Sequence, residues 1–235
     1  MSKRILITGA SSGIGAEFAL MASEMGHSLV LLARREAMLR ELAAQCREHG
    51  APIAAVVCGD LCSEQTVSEA VRTLRSLPGE PVLINNAGMA EFGDFAATEW
   101  EHHQRLIQVN LVGTMCLTHS VLPVMQEHGS GQIVNVLSIA ADQVFSGAAT
   151  YSATKAGLRQ FGKCLSAEVR GKGIRVTQLL PGATDTPLWD AQGGSPPREK
   201  MLSASNVARG LAYLISLAPD QVIDEVTITP PLGVL

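Results

Sequence analysis

Apolar residues in this chain fall into short aliphatic or β-branched runs that alternate with longer stretches in which apolar positions recur every three or four residues. The short runs are residues 4–8, 28–33, 53–58, 81–88, 132–137, 174–180 and 225–229. Such runs suit strands buried on both faces. Between them, helical spacing covers the residues after Gly15 up to Met25, then 36–49, 64–76, 98–128, 149–171 and 204–217. Gly26 stops the first helix, Glu36 sits in the first turn of the second, and Thr98 with Glu101 has the spacing of a capping box for the fourth. Regular alternation of strand and helix predicts an α/β fold: one doubly wound parallel sheet of about seven strands with helices on both faces. Residues 183–202 lack clear periodicity and contain Gly193-Gly194 and Pro196-Pro197, which marks a binding lid.

Composition narrows this picture. With 235 residues the chain suits a single domain, 1–235, and 46% hydrophobic residues supply a buried sheet. The net charge of −4, without a basic block, argues against nucleic acid as partner. Five cysteines (Cys46, Cys58, Cys62, Cys116, Cys164) lack paired metal-ligand spacing and read as free thiols of a reducing compartment. The apolar run before Gly9 is too short for a signal core or a membrane span, so a soluble, cytoplasmic protein is expected. His102 and His103 have no further ligand at metal spacing, and no metal is expected.

The chemistry gathers at strand ends. Gly9-Ala10-Ser11-Ser12-Gly13-Ile14-Gly15 follows a strand and opens a helix, the arrangement that lets backbone N–H groups and the helix dipole hold a pyrophosphate. The second strand ends in Ala33-Arg34-Arg35. Two guanidiniums where an acid would bind ribose hydroxyls favour a 2′-phosphate, hence NADP(H). Asp60, before Leu61, either accepts from an adenine amino group or caps the next helix. Asn85-Asn86-Ala87-Gly88 places amides at a buried strand end, where backbone or a ligand must satisfy them. Asn110, in an apolar helix, is either a satisfied core amide or a residue holding a break open around water. Tyr151 and Lys155 lie four apart on one helix, so the ammonium is expected to pull the phenol below its usual value of about 10, as general acid–base work needs. Ser138, after the fifth strand, offers a second hydroxyl to the same reacting oxygen.

Taken together, these motifs resemble the short-chain dehydrogenase/reductase family over nearly the whole chain. Its Thr-Gly-x-x-x-Gly-x-Gly appears as Thr8 to Gly15, its Asn-Asn-Ala-Gly as Asn85 to Gly88 and its helix asparagine as Asn110. Ser138 matches the catalytic serine, Tyr151 to Lys155 the Tyr-x-x-x-Lys, and Pro181, Gly182 and Thr186 the later Pro-Gly and threonine. The resemblance implies a Rossmann-like fold and hydride transfer between NADP(H) and a carbonyl or alcohol carbon. It also implies that Tyr151 moves the proton, Ser138 polarises the oxygen, Lys155 lowers the Tyr151 pKa and holds the nicotinamide ribose, and Asn110 anchors a water. Cofactor contacts would come from Gly9, Ser11, Ser12, Gly13, Ile14, Gly15, Arg34, Arg35, Asp60, Leu61, Asn86, Ala87, Gly88, Tyr151, Lys155, Pro181, Gly182, Thr184 and Thr186. In NADP-preferring members an arginine stands where Arg34 is. One departure is the C-terminal Thr227-Ile228-Thr229-Pro230-Pro231 in place of an Asp-Gly-Gly turn, which puts tetramer contacts in doubt; a homodimer or homotetramer through helices 98–128 and 149–171 is expected.

For the substrate, Met89, Phe92, Val144, Phe145, Pro187, Leu188 and Trp189 supply apolar walls, whereas no Lys or Arg lies at 139–150 or just after Gly182. A mainly apolar small molecule is expected, with Arg198 and Lys200 the route to an anionic one. The same fold could also serve as a non-catalytic NADP(H)-binding sensor or scaffold, a reading that the full set Ser138, Tyr151, Lys155 and Asn110 disfavours.

Overall fold

A computed structural model describes residues 2–190 and 197–233. Lys3–Thr8 (β1), Ser28–Ala33 (β2), Ala54–Cys58 (β3), Glu80–Asn85 (β4), Gly131–Val136 (β5) and Ile174–Pro181 (β6) form one sheet with a late strand, Glu225–Ile228. A two-residue pair, Thr184–Asp185 (β7) with Leu202–Ser203 (β8), stands apart, so the late strand is β9. The strand order is β3-β2-β1-β4-β5-β6-β9, every neighbouring pair parallel. This is the doubly wound, Rossmann-like order, and the chain reverses direction across the sheet between β1 and β4.

Alternation along the strands sorts the core into two layers. Ile5 and Ile7 join Leu29, Leu31, Val134 and Leu179 beneath helices Gly13–Glu24 (α1), Glu36–Glu48 (α2) and Ala204–Ser216 (α7). Leu6 joins Val30, Leu83, Ile133 and Val176 beneath Glu64–Ser76 (α3), the later part of the long fourth helix and Ala149–Val169 (α6).

The long helix is not uniform. Trp100–Ile107 (α4) passes through a π-helical stretch, Gln108–Gly113, into Thr114–His128 (α5). Thr98 does not cap it: the cap position is Glu99, without a side-chain bond, and Thr98 Oγ1 donates to the Asp94 carbonyl at 2.9 Å. Asp94 forms its own turn, so the hydroxyl is used one residue too early for a capping box. By length and composition Trp100–His128 is apolar enough to cross a membrane, yet Leu106, Leu117, Val121, Val124 and Met125 are buried in this fold.

Candidate functional site

A cavity of about 580 Å³ lies along the carboxyl ends of the strands, where such folds bind ligands. Its floor is the contact between the loops after β1 and β4. Gly9 has φ 64°, and a Cβ there would lie 2.9 Å from the Ala87 Cα. At Gly15 a Cβ would meet the Gly9 carbonyl at 2.6 Å and Asn86 Nδ2 at 2.7 Å. Any side chain at either place would push these loops apart. Gly15 is therefore a packing glycine beneath the loop; it does not line the cavity, whereas Gly9, Ser11, Ser12, Gly13 and Ile14 do. Asn86 is satisfied by backbone, its Nδ2 donating to the Thr8 carbonyl at 2.9 Å, and the Thr8 hydroxyl accepts from the Asn86 and Ala87 N–H groups. Asn85 turns inward to Thr118 and Asn135.

At one end of the cavity Arg34 and Arg35 follow β2. Arg35 folds back over the glycine loop: its Nε and Nη2 donate to Ser11 Oγ at 3.1 and 2.9 Å, and Nη2 donates to Ser12 Oγ at 2.6 Å. Arg34, the residue favoured by the resemblance, lines the same end. Asp60 braces its own turn by accepting from the Cys62 N–H at 2.9 Å, and that bond is the main reason its carboxyl lies below the usual range. It does not cap α3, which Ser63 caps. Leu61, Asn86, Ala87, Gly88, Pro181, Gly182, Thr184 and Thr186 complete the wall.

Ser138, Tyr151 and Lys155 meet at the other end. Ser138 leaves β5 in extended conformation, and its Oγ accepts from the Ala140 N–H at 3.1 Å within the single 3₁₀ turn Ile139–Ala141. Tyr151 and Lys155 project from one face of α6, with Lys155 Nζ 5.8 Å from the Tyr151 ring centre and donating to the Val136 carbonyl at 3.1 Å. Both side chains are buried. Burial pushes the phenol up, opposed by a hydrogen bond with Ser138, and lowers Lys155 to about 8. The expected lowering of Tyr151 by its cationic neighbour is thus reversed in the free protein: loss of water around the phenolate outweighs an ammonium that burial itself discharges.

Asn110 does not line the cavity. It sits in the π-helical stretch, its Nδ2 donating to the Met89 carbonyl at 2.8 Å and to Thr154 Oγ1 at 3.2 Å, while its Oδ1 accepts from the Met89 N–H at 2.8 Å. The amide is satisfied, and the helix also breaks from α-helical form around it. A Cβ on Gly88 would lie 3.4 Å from Lys155 Nζ and 3.5 Å from Asn110 Oδ1, so Gly88 lets the fourth-strand loop run close past both.

Around Tyr151 the walls are aromatic. Phe92 stacks on Trp189 at 5.5 Å and meets Tyr151 edge-on at 5.7 Å. Met89, Phe145, Pro187 and Leu188 line the same space, but Val144 is 96% exposed and points elsewhere. Arg198 donates to Asp185 and Asp190 outside the cavity. Within the proposed lid, β7–β8 ties the two ends together and Trp189 Nε1 donates to the Thr184 carbonyl at 3.0 Å; Gln192, Gly193, Gly194, Ser195 and Pro196 lie outside the described residues. His102 pairs with Glu91, and His103 is held between Phe95 and Thr150. Residues that sequence reasoning passed over include Val136, through its carbonyl, and the hydroxyls of Thr8 and Thr154; carbonyls carry no side-chain signal, and lone threonines in a strand or helix carry little.

A model of the short chain dehydrogenase family matches residues 3–195. The chain belongs to that family. Among relatives, an uncharacterized oxidoreductase of Staphylococcus saprophyticus is 31% identical over 230 residues, covering 97% of each chain. The short-chain dehydrogenase of Sphingobium yanoikuyae, solved in complex with NADPH, is 32% identical with TM-score 0.86, covering 99% of this chain and 89% of the other. The alcohol dehydrogenase of the archaeon Thermococcus sibiricus, complexed with 5-hydroxy-NADP, has TM-score 0.89 at 25% identity over 98% of this chain and 97% of the other. The chain is therefore an oxidoreductase of the short-chain dehydrogenase family. A dinucleotide suits the residues present: a glycine floor that any Cβ would obstruct, two guanidiniums at one end, and two hydroxyls beside an ammonium at the other.

Proposed function

We propose that the protein is an NADP(H)-dependent carbonyl reductase or alcohol dehydrogenase acting on a small, mainly apolar substrate. The observation that carries this reading is a single cavity with Arg34 and Arg35 at one end and Ser138, Tyr151 and Lys155 at the other. When bound, the dinucleotide supplies or accepts the hydride. Arg35, with Ser11 and Ser12, forms a donor cluster suited to a 2′-phosphate, and Arg34 adds charge beside it. Gly9, Gly13, Ile14, Asn86, Ala87, Gly88, Pro181, Gly182, Thr184 and Thr186 shape the channel between the two ends, while Asp60 and Leu61 would flank the adenosine of a bound dinucleotide.

During reduction the Ser138 hydroxyl polarises the substrate oxygen and Tyr151 gives it a proton; during oxidation Tyr151 takes that proton back. Lys155, held by the Val136 carbonyl, sets the charge beside the phenol and would hold the ribose of a bound dinucleotide. Asn110 fixes Met89 and the π-helical stretch beside Lys155. Phe92, Trp189 and Phe145 receive an apolar or aromatic group. Arg198 is engaged by two carboxylates, which removes the obvious clamp for an anion.

The test is a panel of aryl ketones, aldehydes, sugars and keto acids assayed with NADPH and NADH. NADPH is expected to win by about tenfold or more, as one charged hydrogen bond of roughly 1.5–3 kcal/mol requires. Aryl carbonyls are expected to lead. NADPH binding without turnover of any member would favour a sensor or scaffold instead. The same reading expects a homodimer or homotetramer whose contact includes the apolar face that Trp100, Ile107, Val112 and Met115 leave exposed, with Val112→Glu giving smaller species in sedimentation.

A further inference from the structure

One guanidinium outside the cavity joins its own helix to two other elements at once. Arg159 lies on α6, one turn beyond Lys155 and two beyond Tyr151. Its Nε and Nη2 donate to Glu225 at the start of β9, at 2.8 and 2.5 Å, and its Nη1 donates to Asp142 at 2.9 Å. Lys163 adds a further contact to Glu225 at 3.2 Å. The pairing is tight enough to pull the Glu225 carboxyl down to about 2.

Asp142 is the exit of the 3₁₀ turn that begins at Ser138. Its N–H donates to the Ile139 carbonyl at 3.0 Å, and the Ala141 N–H donates to the Ser138 carbonyl at 3.0 Å. The Ala140 N–H of this turn holds Ser138 Oγ. Ser138 and Asp142 therefore move as one short rigid unit. Nothing covalent joins that unit to α6 at this point, because the loop 143–148 lies between. We infer that Arg159, through Asp142, is the positioning residue that keeps the Ser138 hydroxyl in reach of Tyr151. A planar fork can bond Glu225 and Asp142 simultaneously; an ammonium of equal charge cannot hold both with this geometry.

This inference rests on the reading of Ser138 and Tyr151 as the reacting pair, yet its main test needs no substrate. The chain has two tyrosines, and the second, Tyr213, is exposed on α7. In full-length Tyr213→Phe protein, tyrosinate absorbance on alkaline titration reports Tyr151 alone. If Arg159 holds Ser138 to the phenol, Arg159→Lys, which keeps the charge, raises the Tyr151 midpoint by about half a unit or more, since a hydrogen bond to the charged form is lost. Asp142→Ala separates position from charge. Removing a carboxylate by itself lowers a phenol's pKa, whereas releasing the turn raises it.

An upward shift in both variants, no further shift in the double variant, and no effect of Arg159→Lys once Ser138 is Ala are the expected results. With the best substrate of the panel, kcat falls roughly tenfold while NADPH affinity stays within about twofold. An unchanged midpoint, a downward shift in Asp142→Ala, or a shift that persists without the Ser138 hydroxyl overturns the inference. Absence of any turnover in the unaltered protein would instead count against the proposed function and leave the titration to decide the role of Arg159.

Discussion

Tyr151 and Lys155 share a helix face, but burial acts on them in opposite senses, raising the phenol and lowering the ammonium to about 8. For the pair to work near neutral pH, the hydroxyl must be aided by Ser138 and by the groups that arrive on binding. Tyr151→Phe is expected to lower turnover by roughly 10²–10⁴ while NADPH affinity barely changes, because in the proposed reading the phenol acts on substrate and the rest of the cavity holds the dinucleotide. A variant that keeps full activity would refute the proton-transfer role. Lys155 also has a stability signature. In the unfolded chain it keeps its proton to about 10.5, and in the fold only to about 8, so between those values the unfolded state binds more protons and stability rises with pH. Below about pH 8 the buried charge costs the fold on the order of 3 kcal/mol. Urea unfolding of the protein and of Lys155→Met is expected to show the variant gaining most at pH 7, with the gap narrowing toward pH 9.5 or so. A gap independent of pH would mean that Lys155 is not desolvated.

At the scale of elements, the lid base is fixed at several points. β7 pairs with β8, Trp189 Nε1 reaches the Thr184 carbonyl, and Thr186 packs against the glycine loop, 3.1 Å from where a Gly13 Cβ would stand. Trp189→Ala removes both the stack on Phe92 and that anchor, and is expected to raise KM for apolar substrates about 5- to 100-fold, the equivalent of roughly 1–3 kcal/mol of lost contact. Trp189→Phe keeps a ring and loses only the N–H, so it separates the two contributions: recovery of KM assigns the effect to stacking, and no recovery assigns it to the anchor. Much of this layout was legible in the chain. Strand and helix periods, glycines at fixed offsets and the Tyr-to-Lys spacing are local signals, and they placed the sheet, the loop floor and the shared helix face of Tyr151 and Lys155. What the sequence hid was contact between distant residues. Thr98 looked like a cap because Asp94's turn cannot be read from spacing, and Val144 looked like a wall because nothing local tells which way a loop residue faces. Arg34 and Arg35 were both legible as phosphate ligands, but that Arg35 reaches back to Ser11 and Ser12 depends on how α2 leaves β2. The π-helical stretch at Gln108–Gly113 follows from Asn110 binding Met89 across the fold.

For the molecule as a whole, the cavity sits where the β3-β2-β1 half of the sheet meets the β4-β5-β6-β9 half, and it is lined from the ends of six of these strands, β1 to β6, and from β7. A ligand there bridges both halves and binds only the folded state, so its affinity appears directly as stability. At a hundredfold excess over its dissociation constant, NADPH is expected to add about 2.7 kcal/mol. For a domain of this size that corresponds to a rise in Tm of roughly 5–10 °C. NADH at the same concentration, bound about tenfold more weakly, falls short by about 1.4 kcal/mol, or some 3–5 °C. Arg35→Ala removes the donor that reaches Ser11 and Ser12, so in that variant the NADPH shift is expected to collapse toward the NADH shift while the latter stays where it was. Equal shifts for the two cofactors in the unaltered protein would show that the arginines after β2 do not select the 2′-phosphate. A loss of both shifts in Arg35→Ala would mean that this guanidinium shapes the glycine loop itself, with the phosphate preference then resting on Arg34.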